Sequence, residues 1–206
     1  MVFCAICAGA AIFWVYRGES RQFSGTVDKL TLGICRDLIS TLILRAEDQG
    51  FFAQNGLAVA TKDYDTGAGA ATDLVAGKID IAATSDFVAA RHVLTGHDIK
   101  VLGAVDRRRI LRLIARIDSG VQKFSDIKGK RIGLPLGTVA EFFLHRALAF
   151  SRLSPEDIEI VNLEPPQTVE AIMEARIYAC VIWSPLDDRI AKALGPNAVS
   201  WPVQRG

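Results

Sequence analysis

Residues 57–96 read LAVATKDYDTGAGAATDLVAGKIDIAATSDFVAARHVLTG and contain two apolar runs, 57–64 and 79–83, each followed by apolar residues at helical spacing. The apolar runs predict strands, and the segments after them predict helices. The first helix is expected to end at Gly77 and the second at Gly96, because glycine readily adopts the backbone conformation that closes a helix. A strand, a helix, a strand and a helix in succession predict an α/β protein with a largely parallel sheet.

The same alternation continues on both sides of this stretch. Upstream, residues 30–35 (LTLGIC) predict a strand, and the apolar positions in residues 38–46 predict a helix that stops near Gly50. Downstream, the apolar run at residues 100–105 predicts a further strand of the same unit. The sequence from the first strand to this run therefore predicts one α/β unit.

A charged break at residues 106–109 (DRRR) separates this unit from a second one. The second unit repeats the architecture without repeating the sequence, so it is not a tandem repeat. We expect the break to be the crossover between two lobes, and we divide the chain into an apolar leader (1–27), lobe one (28–108) and lobe two (109–206). Strands are expected in lobe two at residues 110–115, 131–135, 158–163 and 179–183, with a helix after each of the last three.

The overall composition favours a globular protein without a strongly charged partner. Half of the residues are apolar and 23% are charged, with 24 Lys and Arg against 23 Asp and Glu. This balance gives no broad attraction for nucleic acid. The basic stretch at 123–131 is short and has one aromatic residue, Phe124, so we expect no nucleic-acid binding there. Four cysteines, at positions 4, 7, 35 and 180, do not make a disulfide framework, and Cys35 and Cys180 are expected in buried strands.

The start of the chain is its most biased segment. Residues 2–16 (VFCAICAGAAIFWVY) carry no charge before Arg17. At about 1.5 Å per helical residue they would reach roughly 22 Å, which is short of the roughly 30 Å hydrocarbon core of a bilayer. That length suits a signal-peptide core or a short membrane anchor, and a buried N-terminal helix is the alternative. The positive charges follow the segment, which is the reverse of the pattern expected for an exported domain.

Polar and small residues follow several of the predicted strands. In α/β sheets, ligands collect at the carboxyl ends of strands, where helix N-termini present unpaired N–H groups. The small residues Gly67, Ala68 and Gly69 stand where a helix begins, so a ligand oxygen could approach the backbone closely there. A plain flexible turn explains these residues equally well. Hydroxyl groups occur at equivalent places in both lobes, and simple helix capping is their alternative role: Thr84 and Ser85 in lobe one, and Thr138 after Gly137 in lobe two.

Three more residues at strand ends are candidates for binding. Arg36 and Asp37 follow the first strand, and the guanidinium of Arg36 could pair with an anionic group or form a structural salt bridge. Trp183 ends a strand of lobe two and is a candidate cleft wall or core residue. We find no catalytic, metal or cofactor motif, because the three histidines do not show metal-ligand spacing and no Walker, Gly-x-Ser-x-Gly or complete dinucleotide fingerprint is present.

Several motifs together resemble the SsuA/THI5-like (NMT1-like) substrate-binding proteins. The motif residues are EDQGFFAQNGL at 47–57, DTGAG at 65–69 and LVAGKIDIA at 74–82. Lobe two adds DIKGKRIG at 126–133, Gly137-Thr138, and Trp183-x-Pro185. The similarity extends roughly from Lys29 to Trp201, and the set in this order is more specific than any single motif.

The resemblance implies a type II periplasmic-binding fold whose two α/β lobes close on nitrate, a sulfonate, taurine or a related small solute. The protein would act without catalysis and without a cofactor, in the periplasm or cell envelope, and would hand its ligand to the permease subunits of an ABC importer. The implied ligand-binding residues are Arg36, Asp37, Gly67 to Gly69, Thr84, Ser85, Gly137, Thr138, Val139 and Ala140.

Two alternatives stay open beside this expectation. One is an enzyme like the relatives that form the thiamine pyrimidine precursor, although their cysteine-rich iron-binding signature is not visible in this sequence. The other is a sensor domain that uses the same cleft. Family members usually continue further and return to lobe one with additional helices, so the chain resembles a C-terminally truncated copy.

Overall fold

The structure, a computed structural model, describes residues 23–203. In this range the first half of the chain forms a parallel three-stranded sheet of order β2-β1-β3, made of β1 (Asp28–Ile34), β2 (Leu57–Asp63) and β3 (Ile81–Ala82). Four helices connect and follow these strands: α1 (Thr41–Asp48), α2 (Phe51–Gln54), α3 (Gly67–Val75) and α4 (Asp86–Leu94).

The second half forms a five-stranded sheet of order β6-β5-β7-β4-β8 within the described residues. Its strands are β4 (Leu111–Arg116), β5 (Arg131–Leu134), β6 (Glu159–Asn162), β7 (Ala179–Trp183) and β8 (Ala198–Pro202). β4 runs antiparallel to both β7 and β8, whereas β5 runs parallel to β6 and β7. Three helices pack on this sheet: α5 (Val139–Phe150), α6 (Pro165–Met173) and α7 (Leu186–Leu194).

The two faces of the second sheet are both buried. Successive residues of a strand point to opposite faces, so neighbouring residues of one strand enter different core clusters. On one face, Leu113 of β4 and Val181 of β7 join a core cluster with Leu144 of α5. On the other face, Ile114 and Ile182 of the same strands join a second cluster with residues of α6 and α7. Helices therefore cover the sheet on both sides, as expected for an α/β unit.

The first half is packed less densely than the second. Ile34 is its one fully buried large side chain among the described residues. Its other large buried side chains are Leu32, which is 7% exposed, and Ile79, which is 5% exposed, and the smaller Ala70, Ala71 and Val88 complete a thin core. Several large apolar residues of this half are exposed instead: Leu38, Leu42, Phe51, Val93, Leu94, Val101, Leu102 and Val105. The hydrophobic stabilisation is therefore concentrated in residues 111–203.

One expectation about strands was wrong. The run at residues 100–105 is not a strand, and Val101 and Leu102 are 75% and 78% exposed. A strand needs a neighbouring strand for its backbone hydrogen bonds. The edge strand β3 pairs through two residues with β1 alone, so residues 100–105 do not extend the sheet there. The sheets are largely parallel, as predicted, with the exception of β4, which enters the second sheet in the opposite direction. The sequence pattern had not indicated β8 or α2.

The cysteines in the described residues are free thiols, as predicted. Cys180 is fully buried in β7, and Cys35 is partly buried after β1. Burial raises the pKa of both thiols to about 12, so both are protonated at neutral pH. The predicted leader, with Cys4 and Cys7, lies outside the described residues. Within residues 23–203, none of the helices is both long enough and apolar enough to span a bilayer.

Candidate functional site

Three loops follow the carboxyl ends of parallel strands and each opens a helix. We call them the strand-end loops: residues 66–69 after β2, residues 84–85 after β3, and residues 137–140 after β5. Each loop carries a side-chain cap: Thr66 Oγ1 accepts from the Gly69 N–H at 3.2 Å, Ser85 Oγ from Val88 at 3.3 Å, and Thr138 Oγ1 from Ala140 at 3.2 Å. The capping role that we left open for Ser85 and Thr138 is thus present. In α4 the Asp86 carboxylate also accepts from the Phe87 N–H at 2.8 Å. The remaining first-turn N–H groups of an α-helix have no backbone partner within the helix, which suits helix starts to an anion.

The first two strand-end loops touch each other. A Cβ atom placed on Gly67 would lie 3.0 Å from both the Cα and the Oγ1 atoms of Thr84, and 3.2 Å from the carbonyl oxygen of Ala83. These distances are shorter than ordinary van der Waals contacts, so a side chain at this position would push the two loops apart. Glycine at position 67 therefore allows the start of α3 to approach the end of β3. Ala68 and Gly69, the next two residues, lie in the first turn of α3.

The third strand-end loop belongs to the second half of the chain. Gly137 has a φ angle of +74°, in the left-handed region that disfavours side chains, and its N–H donates to Glu141 Oε2 at 2.6 Å. Thr138 is 5% exposed and its hydroxyl also donates to the Pro135 carbonyl at 2.7 Å. Val139 is partly buried and Ala140 is fully buried under the loop. The loop is therefore held rigidly by its own hydrogen bonds.

Helix α4, which begins at the second strand-end loop, touches the second half of the chain. A Cβ atom on Gly137 would lie 2.6 Å from Nη1 of Arg91, a residue of α4. The ring of Phe87, two residues after Ser85, stacks on the ring of Phe142 in α5 with centroids 5.1 Å apart. Because α4 begins at the second strand-end loop and α5 at the third, these contacts bring the two helix starts into one region.

We expect replacement of Thr138 by valine to destabilise the protein by about 1–2 kcal/mol, because the change removes the cap of α5 and leaves the buried Pro135 carbonyl without this donor. Urea unfolding followed by circular dichroism measures the loss. Thr72→Val is the control, since Thr72 is an exposed residue of α3 whose hydroxyl donates to the Ala68 carbonyl of its own helix. Equal losses for the two variants would contradict the role of the Thr138 cap.

Arg36 is engaged in a structural ion pair. Its Nε atom donates to both carboxylate oxygens of Asp63, at 2.8 and 2.9 Å, and Glu47 lies 3.9 Å from its Nη1 atom. The hydrogen bond with Asp63 is the largest of the effects that raise the pKa of Arg36. β2 lies on the side of β1 away from β3. The ion pair with Asp63 thus holds the Arg36 side chain at the β2 side of the sheet. The contacts of Arg36 are those of the structural salt bridge that we gave as its alternative role.

Asp37 and Trp183 also have structural contacts. The Asp37 carboxylate accepts from the backbone N–H groups of Ile39 at 3.0 Å and Ser40 at 3.3 Å, which fixes the turn after β1. Burial raises the pKa of Asp37, and these two hydrogen bonds oppose that effect. Trp183 is 8% exposed and belongs to the core cluster under α5. These contacts agree with the core interpretation of Trp183, and its role as a cleft wall stays a prediction.

The histidines of α4 and its end form a pair. His92 is 7% exposed and its Nε2 atom has no hydrogen-bond partner, while the ring of His97 lies 5.1 Å away. Burial, and next the charge of His97, lower the pKa of His92, so its neutral form is favoured. No third ligand accompanies the pair, since residues 23–203 hold no group of three or more His, Cys, Asp or Glu that could bind a metal.

The sequence analysis missed the residues that join the halves. Phe87 and Arg91 are four residues apart on α4, and Phe142 and Arg146 are four apart on α5, so each pair shares a helix face. This spacing of an aromatic and a basic residue was a visible signal. Glu141, which accepts the Gly137 N–H, was also missed.

Comparison with known proteins assigns the fold and the family. The class is a two-lobed α/β protein of the type II periplasmic-binding kind. The alkanesulfonate-binding protein SsuA from Xanthomonas axonopodis pv. citri, solved bound to MOPS, aligns over 86% of this chain with a TM-score of 0.74 and 24% identity. SsuA from Escherichia coli aligns over 85% of it with a TM-score of 0.63 and 19% identity. The family model described as NMT1/THI5 like matches residues 39–193, and the chain belongs to this family.

A curated relative agrees with this assignment. The taurine-binding periplasmic protein of Escherichia coli strain K12 is 25% identical over 145 residues, which are 70% of this chain. The chain spans 45% of that relative and 61% of the Xanthomonas SsuA chain. It therefore corresponds to about half to three fifths of such proteins.

Proposed function

We propose that the protein is the solute-binding component of an ABC importer and captures a small anionic ligand, a sulfonate or taurine, between lobe one (28–108) and lobe two (109–206). The observation that carries this proposal is the contact between the two halves at the helices that begin at strand-end loops, made by Phe87 with Phe142 and by Arg91 with Gly137. Loops from two units that open toward one region can enclose a ligand when the units close.

The chemistry of the loops favours an oxyanion. A sulfonate group carries three acceptor oxygens, and the unpaired N–H groups and partial positive charge at helix N-termini stabilise such a group. The hydroxyl of Thr84, which is exposed beside Gly67, supplies an additional donor. The proposed ligand contacts are the residues at these helix starts: Gly67, Ala68, Gly69, Thr84, Ser85, Gly137, Thr138, Val139 and Ala140. Arg36, Asp37 and Trp183 contribute to the frame of the lobes through the contacts described above.

The names of the relatives support the transport role and its location. Proteins named for taurine and alkanesulfonate binding are among the neighbours, and the former is named as periplasmic. We propose the same compartment for this protein, with permease subunits of an importer as partners and residues 2–16 as a signal or membrane anchor. The enzyme alternative would need an iron site, and the described residues hold no cluster of three or more His, Cys, Asp or Glu that could bind a metal.

Ligand-dependent stabilisation tests the proposal. The chain is unfolded in urea with and without taurine, ethanesulfonate, MOPS or nitrate, and arginine and glycine, which carry neither a sulfonate nor a nitrate group, serve as controls. A ligand at 100 times its dissociation constant should add about 2.7 kcal/mol to the free energy of unfolding. We expect this gain with at least one sulfonate and with neither control. A folded chain that none of the anions stabilises would overturn the proposed function.

A further inference from the structure

The two halves of the molecule meet at one pair of helices. Among the described helices and strands, α4 and α5 make a small contact that is nevertheless the largest between the first half and the second. The connecting segment between Leu94 and Leu111 contains no helix or strand. Covalent linkage through this segment does not fix the relative position of the lobes, so the contact between α4 and α5 must contribute to it.

The contact is made by side chains at matched spacing. Phe87 stacks on Phe142 with a ring-centroid distance of 5.1 Å and an interplanar angle of 28°. One turn further along α4, the Arg91 guanidinium lies against the position where Gly137 lacks a Cβ atom, with Nη1 at 2.6 Å and Cζ at 3.2 Å from that position. Any larger residue at position 137 would displace the guanidinium. Two independent contacts therefore connect α4 to lobe two.

On α5, Phe142 also contacts other side chains of its own helix. The ring of Phe142 is also edge-on to Phe143 at 5.1 Å, and the guanidinium of Arg146 lies 5.8 Å from the Phe142 centroid. Arg146 lies 5.7 Å from both Phe143 and Phe150, so one cation contacts three rings of α5. Such cation–π contacts favour a fixed orientation of the rings. Phe142 is nevertheless 37% exposed, which is consistent with a contact that can open.

We propose that Phe87 and Arg91 of α4, with Phe142 and Gly137 of lobe two, form an interlobe clasp that holds the lobes in a closed arrangement before any ligand binds. The clasp sets the ratio of closed to open molecules, and a ligand that binds the closed form gains affinity in proportion to the closed fraction. This consequence for affinity rests on the proposed function, whereas the clasp itself does not.

Distance measurements between the lobes test the clasp without a ligand. Spin labels are placed on Thr72→Cys in α3 and Lys192→Cys in α7, both exposed positions, in a full chain whose four native cysteines are replaced. Pulsed electron spin resonance then gives the distribution of interlobe distances. From the usual strength of an aromatic pair, Phe142→Ala should raise the ratio of open to closed molecules by about 2- to 10-fold. Phe87→Ala should have the same effect, and the double variant should exceed neither single variant by much.

Phe150→Ala is the matched control, because Phe150 lies on the same helix, contacts Arg146 and is 67% exposed, but makes no ring contact with α4. Its distance distribution should equal that of the parent. The clasp is overturned if Phe142→Ala and Phe87→Ala, both folded by circular dichroism, keep the parent distribution, or if Phe150→Ala shifts it equally. Absence of sulfonate binding by the parent chain would refute the proposed function and leave the distance result to decide the clasp.

Discussion

Replacement of Leu144 by alanine is expected to lower the free energy of unfolding by about 2–5 kcal/mol. Leu144 is fully buried on the inner face of α5, where it belongs to the core cluster with Leu113 of β4 and Val181 of β7. Alanine would remove apolar contacts and leave a cavity that the sheet and helix cannot fill without moving. Because this cluster lies in the better-packed half of the molecule, the loss should appear in the main unfolding transition. Urea unfolding followed by far-ultraviolet circular dichroism measures it.

Leu94→Ala is the matched control for this prediction. Leu94 ends α4 and is 86% exposed, so the same truncation removes little buried surface there. We expect a change within about 0.5 kcal/mol. A loss at Leu94 as large as that at Leu144 would mean that the exposed apolar residues of the first half are buried in solution. It would contradict the unequal packing of the two halves.

Replacement of Gly67 by valine is expected to abolish ligand-dependent stabilisation and to cost about 1–3 kcal/mol of stability. The Cβ atom alone would lie 3.0 Å from the backbone of Thr84, and the two methyl groups of valine require still more room. The start of α3 must then move away from the end of β3, which separates two of the strand-end loops. Urea unfolding with and without the best sulfonate gives both numbers from one set of samples.

Gly103→Val controls for the loss of a glycine as such. Gly103 lies in the connecting segment, where an added Cβ atom would meet no other atom within 4 Å. This variant should keep both the stability and the ligand response of the parent. If Gly67→Val retained the full response to ligand, the close approach of residues 66–69 and 84–85 would have no part in binding.

The local features of the fold were predictable from the sequence. The four strands and α-helices from residue 57 to residue 94 and the six from 131 to 194 were all predicted, mainly from apolar spacing and helix-closing glycines, as in α3, α4 and β7. Helix caps such as Thr138 were also predictable, because a cap acts within three residues of itself. Periodicity and capping are short-range properties, and a single sequence shows them.

The features that the sequence did not predict depend on distant partners. The run at residues 100–105 has strand-like composition, but no strand lies beside it in the described chain. Strand direction has no local signature, so the antiparallel entry of β4 was missed. The partner of Arg36 is Asp63, 27 residues away, and the pairing depends on the register of β1 and β2. The stacking of Phe87 on Phe142 likewise depends on how the lobes meet.

A shallow cavity of about 370 Å³ is an alternative place where a ligand could bind. Its lining includes Lys29, Thr31 and Asp80, and residues 58–60 complete it. It lies at the amino ends of β1 and β2, whereas the strand-end loops lie at the carboxyl ends of the parallel strands. A ligand that bound there would contact lobe one alone.

Hydrogen exchange with mass spectrometry, in the absence and presence of a saturating sulfonate, tests the central claim most directly. We predict slower exchange in peptides covering residues 66–70, 84–88 and 137–141 at once, because backbone N–H groups from both lobes would bind one anion. Protection confined to one lobe, or to residues 29–31 and 58–60 around the cavity, would contradict capture of the ligand between the lobes.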